Sequence, residues 1–359
     1  MKKILVDIIF KGNGIVNFDD GERQMEILQS IGIKGVLPKD KGNANIKIAK
    51  HDYILIKAKG KNDKDKYVYK IKVSADCLRH AIFGDTPPTD IMFNDYLFAR
   101  YAVTENALCR GYGFMSDNGS YTRSTVLTIN DAVQTDVNEF INLQVNTKAG
   151  VRDSTSLRYT ETIGEKRYHT SGEIELAKLA FVSASPKFGR MAICPDLVKN
   201  QIFDDAIKER YGELAKIEKG YFSLKDNDLS VPYSEFGFFL NKEMVNYLTK
   251  WMIKRLLRIE INRAGASFKV EKLNIKFVNN ILKDVYTDPE VDHNGWKTIT
   301  SDDDVDNLDF ICNDDIWVKS NDKDITDFEK EVEEVKQKLI EAKENKKNKG
   351  KVKETDTSK

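Results

Sequence analysis

The chain has 359 residues, 40% hydrophobic and 32% charged, with 57 basic and 57 acidic side chains in formal balance. That is enough chain for one large domain with insertions or two ordinary ones, and no run of eighteen apolar residues exists to span a membrane. Cys77, Cys109, Cys194 and Cys312 form no CxxC pair, and His51, His80, His169 and His293 show no HxxxH spacing. These counts speak against a zinc site, a disulfide framework and metal-dependent hydrolysis, and they fit a reducing cytoplasm.

In chain order, ILVDIIFKGNGIVNF (residues 4–18) reads as a strand that breaks at Gly12 and Gly14 and resumes to Phe18. Asp7 in its apolar run, and the lack of a small-residue cleavage site, favour a first strand over a signal peptide. YILIKAKG and KYVYKIKV, joined by KNDKDK, spell a hairpin with a charged tip. SADCLRHAIF predicts a helix capped by Ser74. After the break at TPPTD, the stretch from Ile91 to Phe114 resumes as helix, ended by Gly111 and Gly113. TRSTVLTINDAVQ predicts a strand running into a turn. GEIELAKLAFVSAS predicts a strand and then a longer, half-buried strand or strand pair.

Asn241 to Arg263 is the clearest helix in the chain. Met244, Leu248, Trp251 and Met252 lie on one side, Lys254, Arg255 and Arg258 crowd the later turns, and Gly265 is the stop. KVEKLNIKFV returns to strand alternation. From residue 301 onward there are 18 acidic and 12 basic residues, a net of −6 that leaves +6 on the body. SDDDVDNLDF and CNDDIW read as acidic loops. Thr326–Lys347 reads as a charged helix on Phe328, Val332, Val335 and Leu339, and the lysine-rich end as disordered. The expected organisation is a body of residues 1–320 and a charged tail of residues 321–359. Strands and helices in irregular order predict an α+β fold.

Catalytic motifs are scarce. No GxGxxG opens a helix, and neither GxxxxGK[ST] nor GxSxG occurs. Cys77 and His80 share a helix face, which reads as a half-buried thiol beside a packed or phosphate-facing histidine. The acids at 302–306 read as a solvated loop in preference to a Mg²⁺ site. Binding motifs are richer. CLRHAIF carries Arg79 and His80, LCRGYGF carries Arg110 and Tyr112, and YTRST carries Tyr121 and Arg123. GVRDSTSLRY adds Arg152 and Arg158, and EKRYHTSGE adds Lys166, Arg167, Tyr168 and His169. Arginine forks grip phosphates, glycines let backbone N–H groups approach, and aromatics stack on exposed bases. Five such stretches together point to a single-stranded nucleic acid. Asp153, beside Arg152, reads as an orienter of that guanidinium.

GNGIVNF, CLRHAIF, RGY, the TRS ahead of DAV, and above all AGVRDSTS with its downstream SGEIEL resemble one family. It is the Cas-seven backbone protein of CRISPR surveillance complexes, in its compact type I-F variant. The resemblance covers residues 12–18, 77–83, 108–132 and 149–193 in order. It implies a modified RNA-recognition-motif (ferredoxin-like) palm with inserted hairpin and helical segments. Copies would stack head to tail along the spacer of a CRISPR RNA, each holding roughly six nucleotides, with an inserted hairpin kinking out a base at intervals. The exposed bases would pair with target DNA, other Cascade subunits would complete the particle, and a separate nuclease would cut. No cofactor, metal, catalytic residue or membrane enters this picture.

The RNA contacts the resemblance implies are Asn17, Arg79, His80, Arg110, Tyr112, Arg123, Ser124, Arg152, Ser154, Thr155, Ser156 and Arg158. Two departures stand out. Thr122-Arg123 occupies the place of the family's usual Lys-Arg, and Phe188-Gly189-Arg190 that of Phe-Asp-Arg. Three alternatives stay open: a type III-like subunit cutting target RNA with Asp153 or Asp85, a processing ribonuclease using His80 or His169, and a stand-alone single-stranded RNA-binding protein.

Overall fold

KILVDIIFKGN alternates in side-chain direction, and Lys3–Asn13 forms the strand β1 within the largest sheet. Successive strand residues face opposite sides. Ile4, Val6, Ile8 and Phe10 are therefore fully buried on one face, while Ile9 and Lys11 on the other stay half-exposed. Burial of the four core side chains contributes at most about 1.5–3 kcal/mol each. The computed structural model describes residues 3–14, 16–20, 44–56, 66–84, 95–116, 119–137, 143–147, 164–185, 191–193, 201–223, 235–263, 266–278, 295–308 and 318–319.

The other strands of this sheet are β2 (His51–Ile56), β3 (Lys66–Val73), β4 (Leu127–Ile129), β5 (Ala132–Gln134), β6 (Lys166–Glu175), β7 (Glu260–Arg263), β8 (Ala266–Val278) and β9 (Trp296–Ile299). They lie in the spatial order β7–β8–β1–β6–β5–β3–β2, with β4 beside β6 and β9 beside β8, and all the pairings are antiparallel. A register shift between Ile9 and Phe10 against β8 marks a bulge at Glu271. Beyond it, Phe10 stacks on Phe268 with ring centroids 4.4 Å apart.

The helices are α1 (Ala75–Phe83), α2 (Asp95–Ala102), α3 (Glu105–Arg110), α4 (Leu176–Ala180), α5 (Ile202–Tyr211), α6 (Lys242–Leu257) and α7 (Asp302–Asp306). Leu78 and Ile82 of α1 and Met244, Leu248, Met252 and Leu256 of α6 share the core with the buried face of β1. The two helices touch directly, and Arg255 donates from Nε to the Ile82 carbonyl at 2.8 Å, closing the end of α1. Ser74 caps α1 as its sequence predicts, accepting from the Cys77 N–H. A second sheet joins Phe181–Ser183, Glu235–Leu240, Ile217–Ser223 and Val318–Lys319. Helices mixed with antiparallel sheet make the fold α+β, as expected.

Four expectations need correction. The helix expected from Ile91 to Phe114 is two helices, because Thr104 sits in extended backbone and its hydroxyl starts α3 by accepting from the Ala107 N–H; Tyr112–Ser116 is a strand. The half-buried strand expected after GEIEL begins as α4 and becomes strand only at Phe181. The helix expected to reach Arg263 ends at Leu257, and Glu260–Arg263 turns back as β7 against β8. The acidic stretch at 302–306 is the helix α7, with a capping box between Ser301 and Asp304. Three of its four acids are engaged: Asp302 pairs with Arg258, Asp306 lies 2.7 Å from Lys254, and donors from Thr300 and Ser301 hold the Asp304 carboxyl at about 2. The expected helix at 326–347 lies outside the described residues.

Glu105 joins three helices by pairing with Arg210 of α5 and accepting from the Tyr247 hydroxyl of α6 at 2.9 Å. Burial pushes its carboxyl up, but Arg210, the backbone and Tyr247 together hold it below the ordinary 4.5. A carboxyl depressed on folding stabilises above its unfolded pKa, and that contribution disappears as the pH falls through the folded value. Glu105→Gln is therefore expected to lose up to about 1 kcal/mol at neutral pH, since Arg210 is partly exposed. Urea melts of the two proteins should converge as the pH falls below the ordinary carboxyl value and through the folded one.

Candidate nucleic-acid interface

The face of the sheet opposite the core is built row by row from pairing register. In one row, Lys272, Ile9, His169, Val133 and Lys72 run straight across β8, β1, β6, β5 and β3. A neighbouring row sets Asn274, Asp7 and Ser171 side by side, and another sets Lys269, Lys11 and Arg167. The period of two in each strand, with the bulge at Glu271 taking up the odd step between Lys269 and Lys272, puts all of these on one face.

Asp7 is the unusual member, a carboxylate only 1% exposed in the middle of a sheet. A buried carboxylate needs donors, and Asp7 has them. His169 Nε2 lies 2.5 Å from its Oδ1, and Asn274 Nδ2 donates to its Oδ2 at 3.0 Å. Thr298 in turn donates to Asn274 Oδ1 at 2.9 Å. The chain Thr298–Asn274–Asp7–His169 thus crosses four strands and ends on a ring that is 39% exposed.

Cations surround it. Lys3, Lys11 and Arg167 pair with Glu173, Glu165 and Glu271 at 3.1, 2.8 and 2.5 Å. Lys269, Lys272 and Lys276 add three more, without carboxylate partners among the described residues. Lys72 bridges Asp52 at 2.7 Å and Asp131 at 3.2 Å; burial pushes its ammonium down, but the two carboxylates hold it above its ordinary value. Asp131 also accepts from the Ala75 N–H at 2.8 Å, so one carboxylate ties the sheet to the start of α1.

The residues singled out in the sequence fall into three groups. Asn17, Arg79, His80 and Arg110 gather around α1. Asn17 donates to Ser74 Oγ at 3.0 Å, Arg79 pairs with Asp76, His80 is exposed, and Arg110 reaches the Gly84 carbonyl at 3.2 Å. Cys77, beside them, is half-buried, and burial pushes its thiol up against the pull of Arg263 and Lys50, away from a thiolate.

Tyr112 and Arg123 form the second group, and the structure places both side chains in the interior. Tyr112 is buried, its hydroxyl donating to the Ala192 carbonyl at 2.8 Å and its ring edge-on to Phe98. Arg123 is 6% exposed, and its guanidinium donates to the carbonyls of Leu108, Lys178, Leu179 and Phe181 at 2.9–3.2 Å. It fastens α3 to the end of α4. Ser124, next to it, is exposed. The third group, Arg152, Ser154, Thr155, Ser156 and Arg158 with Asp153, lies outside the described residues, as do Asp85 and Phe188-Gly189-Arg190.

The sequence signalled His169 and Arg167 but missed Asp7, Lys70, Lys272 and Asn274 as their neighbours. An acid at the centre of the apolar run ILVDIIF was the available clue.

An antiparallel sheet with helices on one face and a polar, cation-bearing opposite face defines a class of α+β proteins suited to an extended polyanion. Residues 1–292 match the family described as type I-Fv CRISPR-associated protein Cas7fv-like, and the chain belongs to that family. Membership makes it a CRISPR-associated backbone subunit of a type I system. No curated protein matches the chain. Among the described residues, no helix is long and apolar enough to cross a membrane.

Proposed function

We propose that the chain is the CRISPR RNA-binding subunit that polymerises along the spacer of a type I surveillance complex and presents the RNA for pairing with target DNA. One observation carries the reading beyond the family match: β1, α1, the β4–β5 segment, β6, α6 and β8 follow one another in the chain, and their strands lie in the order β8–β1–β6–β5. A strand–helix–strand–strand–helix–strand unit with its fourth and third strands flanking the first is the arrangement of an RNA-recognition motif. The remaining elements are then insertions on a modified palm. The cations of the open face would grip phosphates and leave base edges available for pairing. Arg79, His80, Arg110, Asn17 and Ser124 would extend the contact around α1, as would Arg152, Ser154, Thr155, Ser156 and Arg158.

On this reading the partners are the CRISPR RNA, further copies of the chain head to tail and the other Cascade subunits, all in the cytoplasm. The subunit itself cuts nothing.

Co-expression with CRISPR arrays carrying spacers of two lengths tests the proposal. The mass of the purified particle is expected to rise by one protomer for roughly every six nucleotides added, and the RNA to stay intact with or without Mg²⁺. A complex of fixed mass would favour a stand-alone RNA-binding protein. Cutting of a complementary RNA would favour the type III-like alternative.

A further inference from the structure

Over the middle of the open face lies a cavity of about 570 Å³ between β1, β3, β5 and β6. Its floor is the half-buried part of the central row, Ile9, His169 and Val133. Its walls mix donors with acceptors. Lys70 pairs with no carboxylate among the described residues and stands two positions from Lys72 on the same strand face. Arg167, on the other side, is 65% exposed and donates from Nη2 to Glu271 Oε1 at 2.5 Å. Asn130 donates from Nδ2 to Ser171 Oγ at 3.1 Å, which turns its amide oxygen and the serine hydroxyl proton to other uses. Thr135 donates to the Arg167 carbonyl at 3.3 Å and keeps its oxygen as an acceptor.

A site for a bare phosphate needs cations alone, and a site for an apolar molecule would not carry polar walls. Two cations opposite one another, amide and hydroxyl groups between them, and a flat floor of aliphatic and imidazole carbon match a phosphate, a ribose and a base together. We infer that this cavity holds one nucleotide of a single-stranded RNA, its base over Ile9, His169 and Val133 and its phosphate between Lys70 and Arg167. The inference rests on the RNA binding proposed above and names where one unit of the strand sits. Asp7 and Asn274 are positioning residues: they act through His169, which the buried carboxylate holds by one edge.

The test is fluorescence anisotropy of a labelled oligouridylate with the full chain and the variants Lys70→Gln, Arg167→Gln and His169→Gln. Glutamine at 169 keeps a donor for Asp7 and removes the ring. Each variant is expected to weaken RNA binding about three- to tenfold. The two cation variants should also lower the salt slope by about one, whereas His169→Gln should leave it unchanged. Should His169→Gln also melt at a lower temperature, the two cation variants, whose side chains reach the surface, decide the matter. Wild-type affinity in Lys70→Gln and Arg167→Gln overturns the cavity assignment while RNA binding itself survives. A wild-type chain that binds no RNA overturns both. Uridine monophosphate competing as well as the strand would make this a site for a free nucleotide and overturn the strand assignment.

Discussion

Arg123→Ala is expected to lower the unfolding free energy by about 3–5 kcal/mol, read from urea denaturation, because it strands the carbonyls of a buried guanidinium site. Arg123 reaches four carbonyls on two separate segments, Leu108 and Lys178–Phe181, from a position 6% exposed to solvent. Burial lowers its pKa, yet the guanidinium stays charged, and the helix-end carbonyls of α4 are its counter-poles. Arg123→Lys should recover little, since a single ammonium cannot span both segments and sheds its proton more readily when buried. A stability of 5–15 kcal/mol is typical of whole domains, so a low yield of folded Arg123→Ala protein is part of the same expectation. An Arg123→Ala protein with unchanged stability and weakened RNA binding would instead return this residue to the RNA interface.

Gly111→Ala is expected to be comparably damaging, at more than about 3 kcal/mol. Gly111 ends α3 with φ +77°, its N–H donating to the Ala107 carbonyl at 3.1 Å. A β-carbon there would stand 2.2 Å from the Arg123 carbonyl oxygen, 2.7 Å from the Ser124 carbonyl carbon and 2.8 Å from the Thr125 nitrogen. All three are backbone atoms, so no side chain can swing away, and the strand carrying Arg123 would have to shift. Two controls separate the causes. Gly84 has φ +74° but open space around it, so Gly84→Ala should cost only the backbone strain, about 1–3 kcal/mol. Gly113 has open space and ordinary backbone, and Gly113→Ala should change stability by less than about 0.5 kcal/mol. Thermal melts of the three, ranked in that order, check the argument.

These two positions also show where sequence reading reached its limit. LCRGYGF and YTRST look like ligand loops because they pair cations with glycine and an aromatic. The same inventory serves when one segment crosses another at backbone distance, and only the tertiary path of residues 121–125 says which. Local signals fared better. Ser74 caps α1 because capping depends on residues three apart, and α6 declares itself through Met244, Leu248 and Met252 on one stripe. The capping box at Ser301–Asp304 was equally local, but three consecutive acids masked it as a loop. Asp7 and His169 meet across 162 positions of chain, and nothing short of strand register brings them together.

The outer side of β8 carries two short strands end to end, β7 against residues 266–269 and β9 against residues 273–276. That border of the sheet is therefore made of two short strands in place of one long one. An uncovered border invites a neighbouring polypeptide to zip on through its main chain, irrespective of what that neighbour is. Here β7 and β9 are themselves the border, and two strands of four residues each offer a neighbour no long continuous ladder to extend. Because β9 lies at residues 296–299, beyond the 1–292 stretch that matches the family, half of that border comes from the chain's own C-terminal part.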